Sequence, residues 1–363
     1  MLLGSSTGGI GQHVASLTRG LVAAGVTVTI GGPAATERQF GFTDLGARFT
    51  PVEIPANPAL ADARAVGAIR RALAADVDVV HAHGLRAGFV AALARTGRPL
   101  VVTWHNAVIA SGLRGRASRL VERVVARAAS VTLGASEDLV RRASALGAGD
   151  ARLGVVAAPE LPRPRRSAAA VRSELGVGAG RPLILSVGRL HPQKGYDVLI
   201  AAASRWRTAS PAPLVAIAGT GPSYLDLAAR ISAARAPVQL LGHRDDVADL
   251  LAAADLAVVT SVWEARQLFA QEALRTGTPL IATAVGGIPH LVGDAAVLVP
   301  AGDVDAVDRA VRRMLVDPAL RAEYARRGLA QAATWPTVRE TVEQVLAVYA
   351  ELAPAAGVRS GRS

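Results

Sequence analysis

"PLILSVGRLHPQKG", residues 182–195, opens on an unbroken apolar run and ends in a loop that carries the only lysine of the chain. A short continuous apolar run closed by a glycine reads as a strand buried on both faces. The plan recurs on either side of it. Downstream lie "PLVAIAGTG" (213–221), "VQLLGH" (238–243), "DLAVVTS" (255–261), "PLIATAVGG" (279–287) and "AVLVP" (296–300). Upstream lie "VTVTIGG" (26–32), "DVDVVHAHG" (76–84), "PLVVTWHN" (99–106) and "SVTLGAS" (130–136). Ala- and Leu-rich segments of about ten to twenty residues separate them and read as helices. Strands alternating with helices give parallel sheets covered on both faces. Two such series give an α/β chain of two Rossmann-like domains.

The totals agree. A chain of 363 residues exceeds one ordinary core, and two domains follow. Aromatics are 4%, so Val, Leu and Ala must fill the interior. The boundary falls in "APELPRPRRSAAA" (158–170), where Pro and Arg continue neither a helix nor a strand. Domains of 1–160 and 181–335 are expected, with 161–180 as linker. A helix over about 337–353 follows Trp335-Pro336 and is expected to return to the first domain, and 354–363 to be a disordered tail. The opening strand, "MLLG", is short for a first Rossmann strand, so a late start or a clipped strand is expected.

Composition bounds the chemistry. There is no cysteine, which excludes disulfides, thiolate metal sites and a cysteine nucleophile, and fits a cytoplasmic protein. No signal peptide and no membrane-spanning run are read. The formal net charge of +11 favours anionic partners, nucleotide phosphates or anionic lipid. Nucleic acid is not expected, because no recognised binding motif and few aromatics for base stacking are present.

In open parallel sheets ligands bind beyond the carboxyl ends of the strands, and four groups of residues fall there. "SSTGGIGQHV" (5–14) offers Gly8, Gly9 and Gly11 ahead of a helix, where backbone can approach a phosphate. An ordinary glycine turn reads equally well. A NAD fingerprint does not fit, because the expected acidic residue is missing from "GVTVTIGG". Arg189 and Lys194 flank the end of the strand at 183–188. The plainer reading is solvated loop charge; the sharper one is neutralisation of a diphosphate. Lysine is a point charge suited to a phosphate oxygen, whereas arginine is a wide fork. "WEARQLFAQEAL" (263–274) sets Glu264 and Glu272 eight apart, the second about two turns into a helix. They are either two unrelated surface carboxylates or a pair facing a reacting centre and a ribose. His105 ends "VVTWHN", while His81 and His83 end "VVHAHG". The H-x-H pair suggests a metal, but no third ligand is spaced nearby, so structural or substrate contact is the reading and no metal is expected. A Walker A loop and a G-x-S-x-G elbow are absent.

In chain order, "TGGIGQHV", "TWHN", "SVGRLHPQKGYDVLI", "AGTGP", "LGHRDDVADLLAAADLAVVTSVWEARQLFAQEALRTGTPLIATAVGGIPHLV" and "WPTV" resemble the retaining glycosyltransferases of family 4. The likeness spans nearly the whole chain and is strongest over 183–302. It implies the GT-B fold, with two parallel sheets facing across a central crevice, an acceptor-side first domain and a donor-binding second one. It implies that Arg189 and Lys194 hold the donor diphosphate. Glu264 lies by the transferred sugar and Glu272 binds the ribose. The backbone of Arg266, Gln267 and Leu268 cradles phosphates, Gly8 and Gly9 close over the diphosphate, and His105 lies near the reaction centre. No metal or cofactor is implied; the donor is a nucleotide sugar, UDP by default. The chain departs from the family where Ala265-Arg266-Gln267 replaces Gly-Phe-Gly, and where "VVAAPEL" (155–161) replaces Asn-Gly-Val-Asp.

The reading is therefore a metal-independent retaining transferase, moving a sugar from a nucleotide-diphosphate donor to a hydroxyl acceptor. A sugar-nucleotide 2-epimerase of the same fold needs more crevice carboxylates and histidines than the sequence places. A non-catalytic nucleotide-sugar-binding protein is the third reading. "SGLRGRASRLVERVVARAAS" (111–130) carries Arg114, Arg116, Arg119, Arg123 and Arg127 against Glu122. It reads as a solvated helix, or as a peripheral contact with anionic membrane at the inner face serving a lipid-linked acceptor.

Overall fold

The structure is a computed structural model that describes residues 1–6, 8–54, 61–72, 77–107, 112–157 and 161–353, omitting the side chains of 61, 72, 113 and 114. The chain divides into two compact units, Met1–Pro159 with Pro336–Ser363, and Glu160–Trp335. The tail 354–363 and residues 158–160 of the boundary stretch lie outside the described residues.

The first unit holds seven parallel strands: β1 (Leu2–Leu3), β2 (Thr29–Gly32), β3 (Arg48–Pro51), β4 (Val80–His83), β5 (Leu100–Trp104), β6 (Val131–Gly134) and β7 (Ala151–Leu153), in the order β3-β2-β1-β4-β5-β6-β7. The helix Val338–Leu352 lies against Gly9–Ala23, and Val342 and Val345 share a core with Val14, Leu17 and Leu21. Glycine permits this approach: a Cβ on Gly20 would sit 2.3 Å from Val342 Cγ2.

The second unit holds six parallel strands: β8 (Leu183–Val187), β9 (Leu214–Ala218), β10 (Val238–Gly242), β11 (Leu256–Val259), β12 (Leu280–Thr283) and β13 (Ala296–Val299), in the order β10-β9-β8-β11-β12-β13. Side chains alternate across a strand, so β8 feeds two cores. Leu183 and Leu185 pack with Ala257, Val259 and Leu280 on one face; Ile184 packs with Val215, Val258 and Ile281 on the other. The linker expected over 161–180 needs correction. The helix Ala168–Glu174 falls inside it, capped by Ser167 Oγ accepting from Ala170 N at 3.2 Å, and Val171, Leu175 and Val177 join the core of the second unit. Two parallel Rossmann-like sheets make the expected α/β architecture.

Candidate active site

On the second unit, two loops meet at the carboxyl ends of β8 and β11. After β8 the chain runs through Arg189, which is exposed, into a 3₁₀ turn at Pro192–Lys194. Gly195 ends that turn with φ +60°, and a Cβ there would lie 2.1 Å from the Thr260 carbonyl oxygen. Only glycine combines that backbone with that approach. The two loops are then laced together. Thr260 Oγ1 donates to the Lys194 carbonyl at 3.1 Å, Val262 N–H to the Gln193 carbonyl at 2.8 Å, and Gln193 Nε2 to the Trp263 carbonyl at 2.8 Å.

The lacing delivers Lys194 to Glu264. The ammonium donates to Glu264 Oε1 at 2.5 Å, and Ser261 Oγ donates to the same oxygen at 2.7 Å. Glu264 is buried and Lys194 half-buried. The carboxylate is anchored from its backbone too: Gly287 N–H donates to its carbonyl at 2.9 Å, and Gly286, φ +52°, leaves no room for a Cβ beside that oxygen. The ammonium has three N–H groups, so two remain for a ligand. The pair keeps a buried carboxylate from repelling an incoming anion.

Arg266, Gln267 and Leu268 form the start of the helix Leu268–Arg275. Gln267 caps it, its side chain accepting from Ala270 N–H at 2.5 Å. Lys194, Thr260, Ser261 and Gln267 line one small cleft with Ser186 and Tyr196. Glu272 is half-buried, and burial pushes its carboxyl up to about 7, opposed by the nearby Arg275. Arg266 is half-buried as well. Burial, with Arg275 adding to it, lowers its guanidinium to about 10, and its Nε and Nη2 have no hydrogen-bond partner. These two donors stand where the related pattern has a phenylalanine.

On the first unit the three glycines separate. A Cβ on Gly11 would strike the Phe40 ring at 2.1 Å, so Gly11 is a packing residue. Gly8 and Gly9 meet nothing within 4 Å and stay open at the start of the helix Gly9–Ala23. Ser6 Oγ accepts from Gly11 N–H at 3.1 Å.

His81 and His83 lie two apart on β4 and therefore share a face of the sheet. His83 is in register with Thr103, and His105 lies two residues beyond it. His83 Nδ1 is 3.3 Å from His105 Nε2. His81 stacks on His83 with centroids 4.3 Å apart, and its own nitrogens are engaged by Tyr349 Oη at 2.8 Å and Thr103 Oγ1 at 2.7 Å. His13, from the helix Gly9–Ala23, completes the group, 5.1 Å from His105 and 5.5 Å from His83 between ring centroids. Burial holds all four imidazoles neutral: His13 falls to about 4, and the other three well below the ordinary range, with the neighbouring rings adding to the effect.

The structure thus brings Lys194, Glu264 and Gln267 together, and separately groups His105 with His81 and His83. The absence of a third ligand near the H-x-H pair needs correction, because the fold supplies both His105 and His13. Sequence reasoning missed His13, Ser261 and Gln193. His13 stood inside the glycine-loop motif; its helical position, one turn in, was the available signal.

Two family profiles match: the glycosyl transferase 4-like domain over residues 8–159 and glycosyl transferases group 1 over residues 168–331. The chain is 33% identical to a D-inositol 3-phosphate glycosyltransferase of Salinispora arenicola, across 78% of this chain and 70% of that one. It is 31% identical to the 2-deoxystreptamine N-acetyl-D-glucosaminyltransferase of Streptomyces fradiae, across 95% and 91%. The crystal structure of HepE from Anabaena in complex with UDP and glucose superposes with a TM-score of 0.80 at 21% identity, covering 97% of this chain and 99% of that one.

Proposed function

The chain belongs to the group 1 glycosyltransferases of family 4, enzymes of the GT-B fold, and from that premise we propose that it is a retaining, metal-independent transferase using a nucleotide-diphosphate sugar. The observation that carries this is the Lys194–Glu264 pair, held at 2.5 Å beside the start of the helix Leu268–Arg275. Lys194, Arg189 and the N–H groups of that helix start stabilise charge developing on the diphosphate as the glycosidic bond breaks. That work needs no divalent cation. Glu264 orients Lys194 and lies by the transferred sugar, while Glu272 accepts from the ribose hydroxyls. Gly8 and Gly9 leave backbone free to approach the diphosphate, and His105 stands beside the acceptor. The acceptor hydroxyl attacks from the face the nucleotide leaves, and the departing phosphate oxygen takes its proton, so the anomeric configuration is kept. UDP is the first donor to try, since the superposed HepE structure holds it.

The test incubates UDP-, GDP- and ADP-sugars with an acceptor panel in EDTA. Transfer with unchanged anomeric configuration supports the reading, and Glu264→Ala and Lys194→Ala should each abolish it without unfolding the chain. Full activity in either variant contradicts the residue roles. Conversion of the donor sugar without acceptor would mark an epimerase. For the acceptor, one surface matters. Arg116, Arg119, Arg123 and Arg127 are exposed along the helix Gly112–Ala128, with Leu120 beside them, while Glu122 is buried against Arg142 at 2.7 Å. That acid-free face supports peripheral contact with anionic lipid, and liposome co-sedimentation at low and high salt checks it. Among the described residues no helix is long and apolar enough to cross a membrane.

A further inference from the structure

We propose that His13, His83 and His105 bind a divalent transition-metal ion of the zinc type, and that this ion, once bound, blocks the acceptor side. Each residue offers one nitrogen, and the three lie within 4.8 Å of one another. His83 Nδ1 and His105 Nε2 are 3.3 Å apart. Tetrahedral coordination at about 2.0–2.1 Å sets two ligands about 3.3 Å apart, so this pair already has the right separation. His13 offers the third nitrogen, within 4.8 Å of the other two. A second observation concerns the same ring: His83 is 2% exposed, and its Nε2 is buried without a hydrogen-bond partner, so no contact at that nitrogen holds the ring against reorientation toward an ion. A buried polar atom left unmet is costly.

The surroundings suit this use. Three rigid elements carry the ligands: the ends of β4 and β5 and the first turns of the helix Gly9–Ala23. His81 stacks on His83 while its nitrogens are held by Tyr349 and Thr103, so it braces the ring instead of joining the ligands. Three nitrogens and no carboxylate select zinc, cobalt, nickel or copper over magnesium and calcium. Three protein ligands leave a fourth position open. The blocking effect rests on the transferase reading, because His105 is the residue placed beside the acceptor; the binding itself does not.

The experiment strips the full chain with EDTA and titrates it with Co²⁺, following the visible d–d bands of low-coordinate cobalt, with Zn²⁺ as competitor. One Co²⁺ per chain, displaced by Zn²⁺ but not by Mg²⁺, supports the site. His105→Ala, at a half-exposed position, and His13→Gln should each weaken binding by about tenfold or more, with circular dichroism confirming that each is folded. Absence of the bands, or binding unchanged in both variants, overturns the proposal. Zn²⁺ should inhibit transfer over the range in which it displaces Co²⁺. Full transfer by the zinc-loaded protein overturns the blocking role. A chain that binds cobalt but transfers no sugar would instead contradict the transferase reading.

Discussion

Lys194 answers at the scale of one residue why a chain with no other lysine keeps one here. The ammonium fits a narrow place between Gly188 and Glu264: a Cβ on Gly188 would already lie 3.3 Å from Lys194 Cε. A guanidinium is wider, flat and fixed in its fork. Lys194→Arg should therefore lose most transfer activity despite keeping the charge, and retained activity would show that charge alone suffices. Arg266 makes the opposite case. Its two unpartnered donors cost about 1–3 kcal/mol against an apolar side chain, so Arg266→Phe should raise the melting temperature by a few degrees. A lower melting temperature would mean the guanidinium has a partner in solution. Glu272 carries a pH signature. Burial pushes its carboxyl up to about 7, and on the proposed ribose contact the carboxylate is the form that accepts from the hydroxyls. Nucleotide affinity should fall by up to about tenfold from pH 8 to pH 6, and Glu272→Gln should flatten the profile. Calorimetric titration at the two pH values decides.

The elements show where sequence reading succeeds and stops. Strands that are buried on both faces announce themselves by largely apolar runs, and β4, β5, β6, β8, β9, β11 and β12 all lie inside runs quoted from the sequence. The two strands the runs missed, β3 and β7, are the edges of the first sheet. "RFTP" and "ARL" are half-exposed, so they need no apolar run and give no signal. The helix Ala168–Glu174 was masked in the same way by the Pro-Arg run before it. At the candidate site, the motif order pointed to Lys194 and Glu264, which the fold pairs, whereas Gly11 of the glycine loop is a packing residue. His13 was legible only as a position one helical turn beyond the glycine loop, since only the fold brings residues 13, 83 and 105 together. Two consequences belong at this scale. Gly20→Ala should destabilise the first unit by about 1–3 kcal/mol, by driving the helix Val338–Leu352 away at Val342; chemical denaturation measures it. The buried imidazoles should also make that unit acid-sensitive. Their folded pKa values lie below the unfolded 6.5, so the unfolded chain binds more protons as pH falls. Stability is complete above about pH 6.5 and is lost progressively toward about pH 4, with His13 alone contributing on the order of 3 kcal/mol. An unfolding midpoint unchanged between pH 7.5 and pH 5 would contradict neutral burial of these rings.

The whole molecule carries a net charge of +11 and two units, each with its own sheet and core. Such a surplus raises the local concentration of anionic substrates, so donor association should weaken as salt is added. The proposed nucleotide recognition lies on the second unit, through Lys194, Glu264 and Glu272, with no metal. Thermal unfolding in EDTA with UDP, GDP and ADP in turn tests this most directly. A nucleotide at one hundred times its dissociation constant adds about 2.7 kcal/mol of stability. One of the three should produce this shift, and Lys194→Ala should remove it. No shift with any nucleotide, or an equal shift in Lys194→Ala, would contradict the proposed recognition.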